Sequence, residues 1–194
     1  MKRYNIMETI TPSPLYQKVD ELMALTTAFA TTYRANVLPG SGDPESDTDH
    51  TILLQLVACS LAEYCAPDLD LQKVARYALV HDLVEAYAGD AVTIVASAEK
   101  IHEKEEKEAQ ALQKIKEQFD NFFPWISSSI EEYEHQEIPE ARFIKVIDKL
   151  LPGLGHIRTD CITFKKLGFS AEEIQAQIAK RDIWLEEYAR DWPE

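Results

Sequence analysis

Val74-Ala75-Arg76-Tyr77-Ala78-Leu79-Val80-His81-Asp82-Leu83-Val84-Glu85-Ala86-Tyr87-Ala88-Gly89-Asp90 is the stretch on which the reading of the whole chain turns. Its apolar positions recur at helical spacing and predict one core helix from about Leu71 to Ala88, closed by Gly89. Into that pattern the chain inserts a histidine and two carboxylates. On a continuous helix His81 and Glu85 are four residues apart and Asp82 and Glu85 three, so the polar groups converge on one face. A cation fits between such groups. A lone His-Asp pair is also a common dipeptide, so other helices have to bring donors to the same interior before an ion is implied.

Two of them do. Residues 14–33 carry Leu15, Val19, Leu22, Leu25, Phe29 and Tyr33 at helical spacing behind Pro14, and predict a first core helix ending near Arg34. The turn formers from Asn36 to Pro44 then predict an exposed loop. Ser46 and Asp49 form a capping arrangement for a second helix that runs to about Tyr64, with the stripe Leu53, Leu54, Val57, Leu61 and Tyr64. Counting back along it lands on His50, which faces inward. From Pro139 a further stripe of Ala141, Ile144, Ile147 and Leu151 carries Asp148, and Pro152-Gly153 predicts its end. A backbone carbonyl satisfies many core histidines. A carboxylate in mid-helix on an apolar face needs a partner, and a shared metal ion supplies one.

The remaining segments read as structural. Residues 97–119 predict a long charged helix whose Glu/Lys run is a solvated face, with His102 on the surface. Asn121 to Trp125 reads as an aromatic plug for the core. Ser170-Ala171-Glu172-Glu173 is a capping box opening a last amphipathic helix with Ile174, Ile178, Leu185, Tyr188 and Trp192.

Composition sets the class. The 194 residues suit one domain, residues 1–194, with a core over roughly 14–165 and a C-terminal capping helix over 170–192. Sparse glycine and little β-branched alternation make it all-α. A net charge of −14 and the lack of a Lys/Arg cluster exclude a nucleic-acid polymer as partner, while leaving room for a small anion neutralised at one pocket. Cys59, Cys65 and Cys161 show no CxxC spacing. Met1 to Ile6 has no apolar run of the signal-peptide kind and no stretch approaches eighteen apolar residues, so neither a membrane nor export is expected and the cytoplasm is the assignment.

His50, His81, Asp82 and Asp148 are thus two imidazoles and two carboxylates from three helices, aimed at one interior. Their order, H…HD…D, with Glu85 and Gly89-Asp90 after the pair, resembles the HD-domain metal-dependent phosphohydrolases, and most of all the branch containing bacterial 5′-deoxynucleotidases. The likeness runs from Arg34 to about Leu154. It includes the Pro44-Glu45-Ser46 lead-in to His50 and Phe143-Ile144-Lys145 before Asp148. The chain departs from that branch at Ala35, where the branch often has an aromatic residue, and at Asp49-His50-Thr51, where it has Glu-His-Ser.

The resemblance implies an HD-domain bundle of about six to eight helices that hydrolyses phosphate from (deoxy)nucleoside 5′-monophosphates, a nucleotide as small-molecule partner, and a homodimer. His50, His81, Asp82 and Asp148 would be the metal ligands, Arg34 the phosphate clamp, and Glu85 and Asp90 the acid and base in an order left open. A mixed nitrogen and oxygen donor set suits one divalent transition ion, Mn, Co, Fe or Zn, rather than Mg. Two other readings stand beside this one: a deoxynucleoside triphosphate triphosphohydrolase, and a non-catalytic nucleotide-binding HD module.

Overall fold

The computed structural model describes residues 13–90 and 98–192; the reading of Met1 to Ile6 and the start of the charged helix at residue 97 lie outside them. Among the described residues the chain forms α1 (Pro14–Ala30), β1 (Tyr33–Val37), β2 (Pro44–Ser46), α2 (Asp47–Cys65), α3 (Leu71–Val80), α4 (Glu85–Ala88), α5 (Ala98–Phe119), α6 (Trp125–His135), α7 (Pro139–Arg158), α8 (Ile162–Lys166) and α9 (Ala171–Tyr188). It is all-α apart from one antiparallel hairpin, β1 with β2, whose tip over residues 38–43 is the core of the expected exposed loop. The first helix stops at Ala30, where the Thr31 and Thr32 hydroxyls fold back onto the Thr27 and Ala28 carbonyls and the chain turns into β1.

Two apolar clusters fill the interior. Leu54, Ala58, Ala62, Val74, Tyr77, Ala78, Tyr133, Ile144 and Ile147 join α2, α3, α6 and α7. Leu25, Val80, Val84, Ala111, Ile115, Phe119, Ile126 and Ile130 join α1, α5 and the other end of α6. The chain passes from one cluster to the other between Ala78 and Val80, immediately before His81. The inward line of α2 is His50, Leu54, Ala58 and Ala62 rather than the bulkier stripe, since Tyr64 is 82% and Leu53 43% exposed. Small alanines let α3 lie close, and side-chain size misleads there. Of the stripe read for the first helix, likewise, Leu25 and Phe29 are buried while Leu15 and Val19, and Tyr33 at the start of β1, stay outside.

Three boundaries differ from the sequence reading, each for a local reason. The central helix is not continuous: α3 ends at Val80, and the Leu83, Glu85, Ala86 and Tyr87 amides bond three residues back, so His81 to Val84 is a tightened turn. Helix α7 runs through Pro152-Gly153 to Arg158. Pro152 has no N–H to give the Asp148 carbonyl, and packing on both sides carries the helix past that missing bond. The aromatic plug is only partial, with Phe123 against the second cluster and Phe122 and Trp125 40% and 36% exposed. Helix α6, α8 and the hairpin were not anticipated. Helix α9 has its capping box but no buried residue; the chain beyond it is tied to α7 by Trp192 on Phe143 and Asp191 on Arg142.

Candidate metal centre

Each donor of the cluster is set by backbone. Ser46 caps α2 with a complete capping box, fixing the first turn and turning His50 inward three residues from Asp47. The His81 ring is fixed by its own turn, where Nδ1 lies 3.0 Å from the Ala78 carbonyl. Nδ1 therefore carries the proton, and the lone pair of Nε2 points into the cluster. Tyr133 stands edge-on to that ring with centroids 6.1 Å apart. Asp148 sits in the middle of the α7 stripe, buried.

The donor atoms of His50, His81, Asp82 and Asp148 all lie within 4.8 Å of one another. His50 Nε2 is 3.1 Å from Asp148 Oδ1, and His81 Nε2 is 3.0 Å from Asp82 Oδ2 and 3.8 Å from Asp148 Oδ1. Two donors each about 2.1 Å from one ion stand about 3 Å apart at right angles and about 4 Å apart across it. The cluster is of that size. His81 Nε2 also has no hydrogen-bond partner despite its short approach to Asp82, as expected of a lone pair aimed at something the carboxylate shares. On the other side of His50, Nδ1 faces Glu45 at 3.7 Å, the carboxylate support that orients metal-binding imidazoles. These four residues can hold a divalent cation.

Around them lies a ring of charge. Arg34 on β1 donates from Nη1 to Asp82 Oδ2 at 2.7 Å, with Asp47 Oδ1 3.6 Å from the same nitrogen and Glu45 Oε2 3.8 Å from Nε. It is inside a hairpin strand rather than on an exposed rim. Glu85 opens α4, and its Oε1 accepts from Lys104 of α5 at 3.1 Å while Oε2 is buried without a partner. Lys104 is the exception in a charged run read as a solvated face. Lys149 lies 3.1 Å from Asp148 Oδ2. Asp90 follows Gly89, whose φ of 76° favours glycine, and its charge acts on both Glu85 and Asp47.

The electrostatics follow from this crowding. Burial alone lowers His50, but its hydrogen bond to Asp148 and the facing Glu45 carboxylate prevail and hold it up to about 9. Burial and the neighbouring Asp82 raise Asp47 to about 7 and Glu85 to about 9, against the pull of Arg34 and Lys104. Asp82 and Asp148 go the other way, held down against burial by the imidazoles and by Arg34 or Lys149.

Glu45, Asp47 and Lys104 were not singled out as site residues. Asp47 is three residues before His50, on the same helical face, and that spacing was a usable signal. Nothing local distinguishes Lys104 from the lysines around it.

A helical bundle lined by two imidazoles and two carboxylates in this order defines a class. The HD domain family matches residues 26–187, and the chain belongs to that family. The 5′-deoxynucleotidase HDDC2 of Xenopus laevis is 34% identical over 109 residues, 55% of this chain and 51% of that protein. HDDC2 of Homo sapiens is 31% identical over 109 residues, 55% of this chain and 50% of that protein. The chain thus spans about half the length of the curated relatives it matches. Among solved structures, a predicted metal-dependent phosphohydrolase of Magnetospirillum magnetotacticum has a TM-score of 0.71 at 26% identity, covering 93% of each chain. A conserved hypothetical protein of Pyrococcus furiosus has a TM-score of 0.56 at 26% identity, covering 88% of this chain and 99% of its own.

Proposed function

We propose that the protein is a metal-dependent phosphohydrolase releasing phosphate from (deoxy)nucleoside 5′-monophosphates. The observation that carries this reading is the convergence of His50, His81, Asp82 and Asp148 within 4.8 Å, with Arg34 hydrogen-bonded to one of them. The similarity to 5′-deoxynucleotidases supports the substrate class. The four residues would hold one transition ion, Mn, Co, Fe or Zn, because the donor set mixes imidazole with carboxylate. Bound there, such an ion polarises a phosphoryl oxygen and makes water more acidic.

The chain's own residues do the rest. Arg34 offers the phosphate a planar fork of donors. Glu85 presents the unpartnered Oε2 from a buried carboxyl anchored at Oε1, a group able to hold or accept a proton at a fixed point. Asp90, whose charge acts on Glu85, would protonate the leaving 5′ oxygen or hold the sugar hydroxyl.

The charge balance favours a monophosphate. Arg34, Lys104 and Lys149 are set against Glu45, Asp47, Asp82, Glu85, Asp90 and Asp148, a poor match for the two further phosphates of a triphosphate. The free Cys59, Cys65 and Cys161 suit the reducing cytoplasm. No helix among the described residues is long and apolar enough to cross a membrane. Assembly as a homodimer belongs to this reading, supported by the exposed Leu15, Tyr16, Val19 and Met23 on one side of α1.

The test is phosphate release by metal-stripped protein across ribo- and deoxynucleoside mono- and triphosphates, with Mn, Co, Zn or Mg added back. Release of inorganic phosphate from monophosphates is expected. Tripolyphosphate from triphosphates would move the assignment to a triphosphohydrolase. Binding without turnover would make the protein a nucleotide-sensing module.

A further inference from the structure

Asp47 has no role in the chemistry above, yet its position is abnormal. It is fully buried, and neither carboxylate oxygen has a hydrogen-bond partner. Buried carboxylates are ordinarily paired, and one left unpaired is costly to keep. Its backbone explains where it stands. The Asp47 amide donates to the Thr32 carbonyl at 3.0 Å, continuing the ladder in which Ser46 faces Tyr33. Asp47 and Arg34 therefore share one hairpin, whereas Asp82 comes from the turn after α3.

Arg34 has two carboxylates to choose between. Nη1 is 2.7 Å from Asp82 Oδ2 and 3.6 Å from Asp47 Oδ1. Its third neighbour, Glu45, faces His50 through its other oxygen. In the reading proposed above, Asp82 is also a donor to the cation. A divalent ion repels the guanidinium and withdraws charge from the carboxylate that holds it, so Arg34 and the ion compete for Asp82.

We infer that Asp47 is the second seat of Arg34: when a cation takes Asp82, the guanidinium closes the 3.6 Å gap to Asp47 and stays beside the pocket as a phosphate clamp. Asp47 is thus a positioning residue that acts through Arg34. The inference rests on the proposed roles of Asp82 and Arg34. It explains why a buried acid with neither oxygen hydrogen-bonded stands at the start of α2.

The test compares full-length wild type, D47A, D47N, R34A and R34A/D47A. The readouts are Mn2+ affinity of stripped protein by calorimetry, inorganic phosphate affinity of Mn-loaded protein, and kcat and KM on a nucleoside monophosphate. D47A is expected to weaken Mn2+ and phosphate on the order of tenfold each, with D47N intermediate, since a charge-assisted hydrogen bond is lost from the loaded state alone. In the R34A background the same substitution should change both by less than about twofold, because the group that needs the seat is gone. A Mn2+ penalty that persists undiminished without Arg34, or its absence from D47A and D47N alike, overturns the inference. An effect confined to Tm, equal with and without Mn2+, also overturns it and leaves Asp47 a structural acid. If D47A folds poorly, the isosteric D47N decides. Failure of the clamp reading looks different: R34A itself would then leave KM and phosphate affinity unchanged, and the Mn2+ coupling would still judge Asp47.

Discussion

Side chains that titrate abnormally crowd one small volume here, and their shifts fix how the metal-free protein responds to pH. Asp47 and Glu85 hold protons up to about 7 and about 9, while an unfolded chain releases them near 4. His50, raised to about 9, adds stability that is complete below the ordinary imidazole value. All three contributions are present at low pH and are lost as pH rises through the folded values. Asp82 and Asp148 are lowered, so theirs is already complete above the ordinary carboxylate range. Chelator-treated protein should therefore lose thermal stability steadily from about pH 5 to about pH 9 in a fluorimetric melt, and a flat or rising profile would contradict these assignments. At this scale the sequence was informative where periodicity spoke. His50 and Asp148 were legible because a polar group on an apolar stripe is anomalous, and Asp47 shares the helical face of His50, whereas the place of Glu45 beside them arises from hairpin pairing that no helical count contains.

Elements were legible in proportion to their caps. Ser46 and Ser170 marked the starts of α2 and α9 correctly because a capping box is a local device, complete within four residues. The ends were harder. Pro152 reads as a stop, yet α7 continues because tertiary packing outweighs one lost hydrogen bond. The turn at His81 to Val84 interrupts a helical pattern whose apolar positions continue through Leu83, Val84 and Ala86, so spacing alone could not reveal it. The Ser46 cap also has a measurable worth. Its Oγ accepts from the Asp49 amide at 3.1 Å and donates to Asp49 Oδ2 at 2.7 Å. S46A should cost about 1 kcal/mol in urea unfolding, a fall of about 2–4 °C in Tm for a chain of this size. No measurable loss would mean that packing alone holds the first turn carrying Asp47 and His50.

The whole molecule brings its donors together from distant parts of the chain, His50 and Asp148 being 98 residues apart. An ion shared by them binds the folded state and not the unfolded one. At a cation concentration roughly a hundred times Kd this linkage is worth about 2.7 kcal/mol, or about 5–10 °C in Tm. EDTA should lower the melting temperature by that much, Mn2+ should restore it, and D148A should abolish the difference. The all-α class was readable from composition and spacing. The hairpin was not, since a pair of strands this short is held by the helices around it rather than by its own propensity.

His50 and Asp148 are carried on helices of one apolar cluster, while His81 and Asp82 lie between Val80 and Val84 of the other. A repacking at Ala62 or at Ile115, remote from any polar atom of the pocket, would tilt one pair of donors against its counterpart. Greasy residues deep in either half are in this sense custodians of the spacing among the four donors, as answerable for it as the imidazoles themselves.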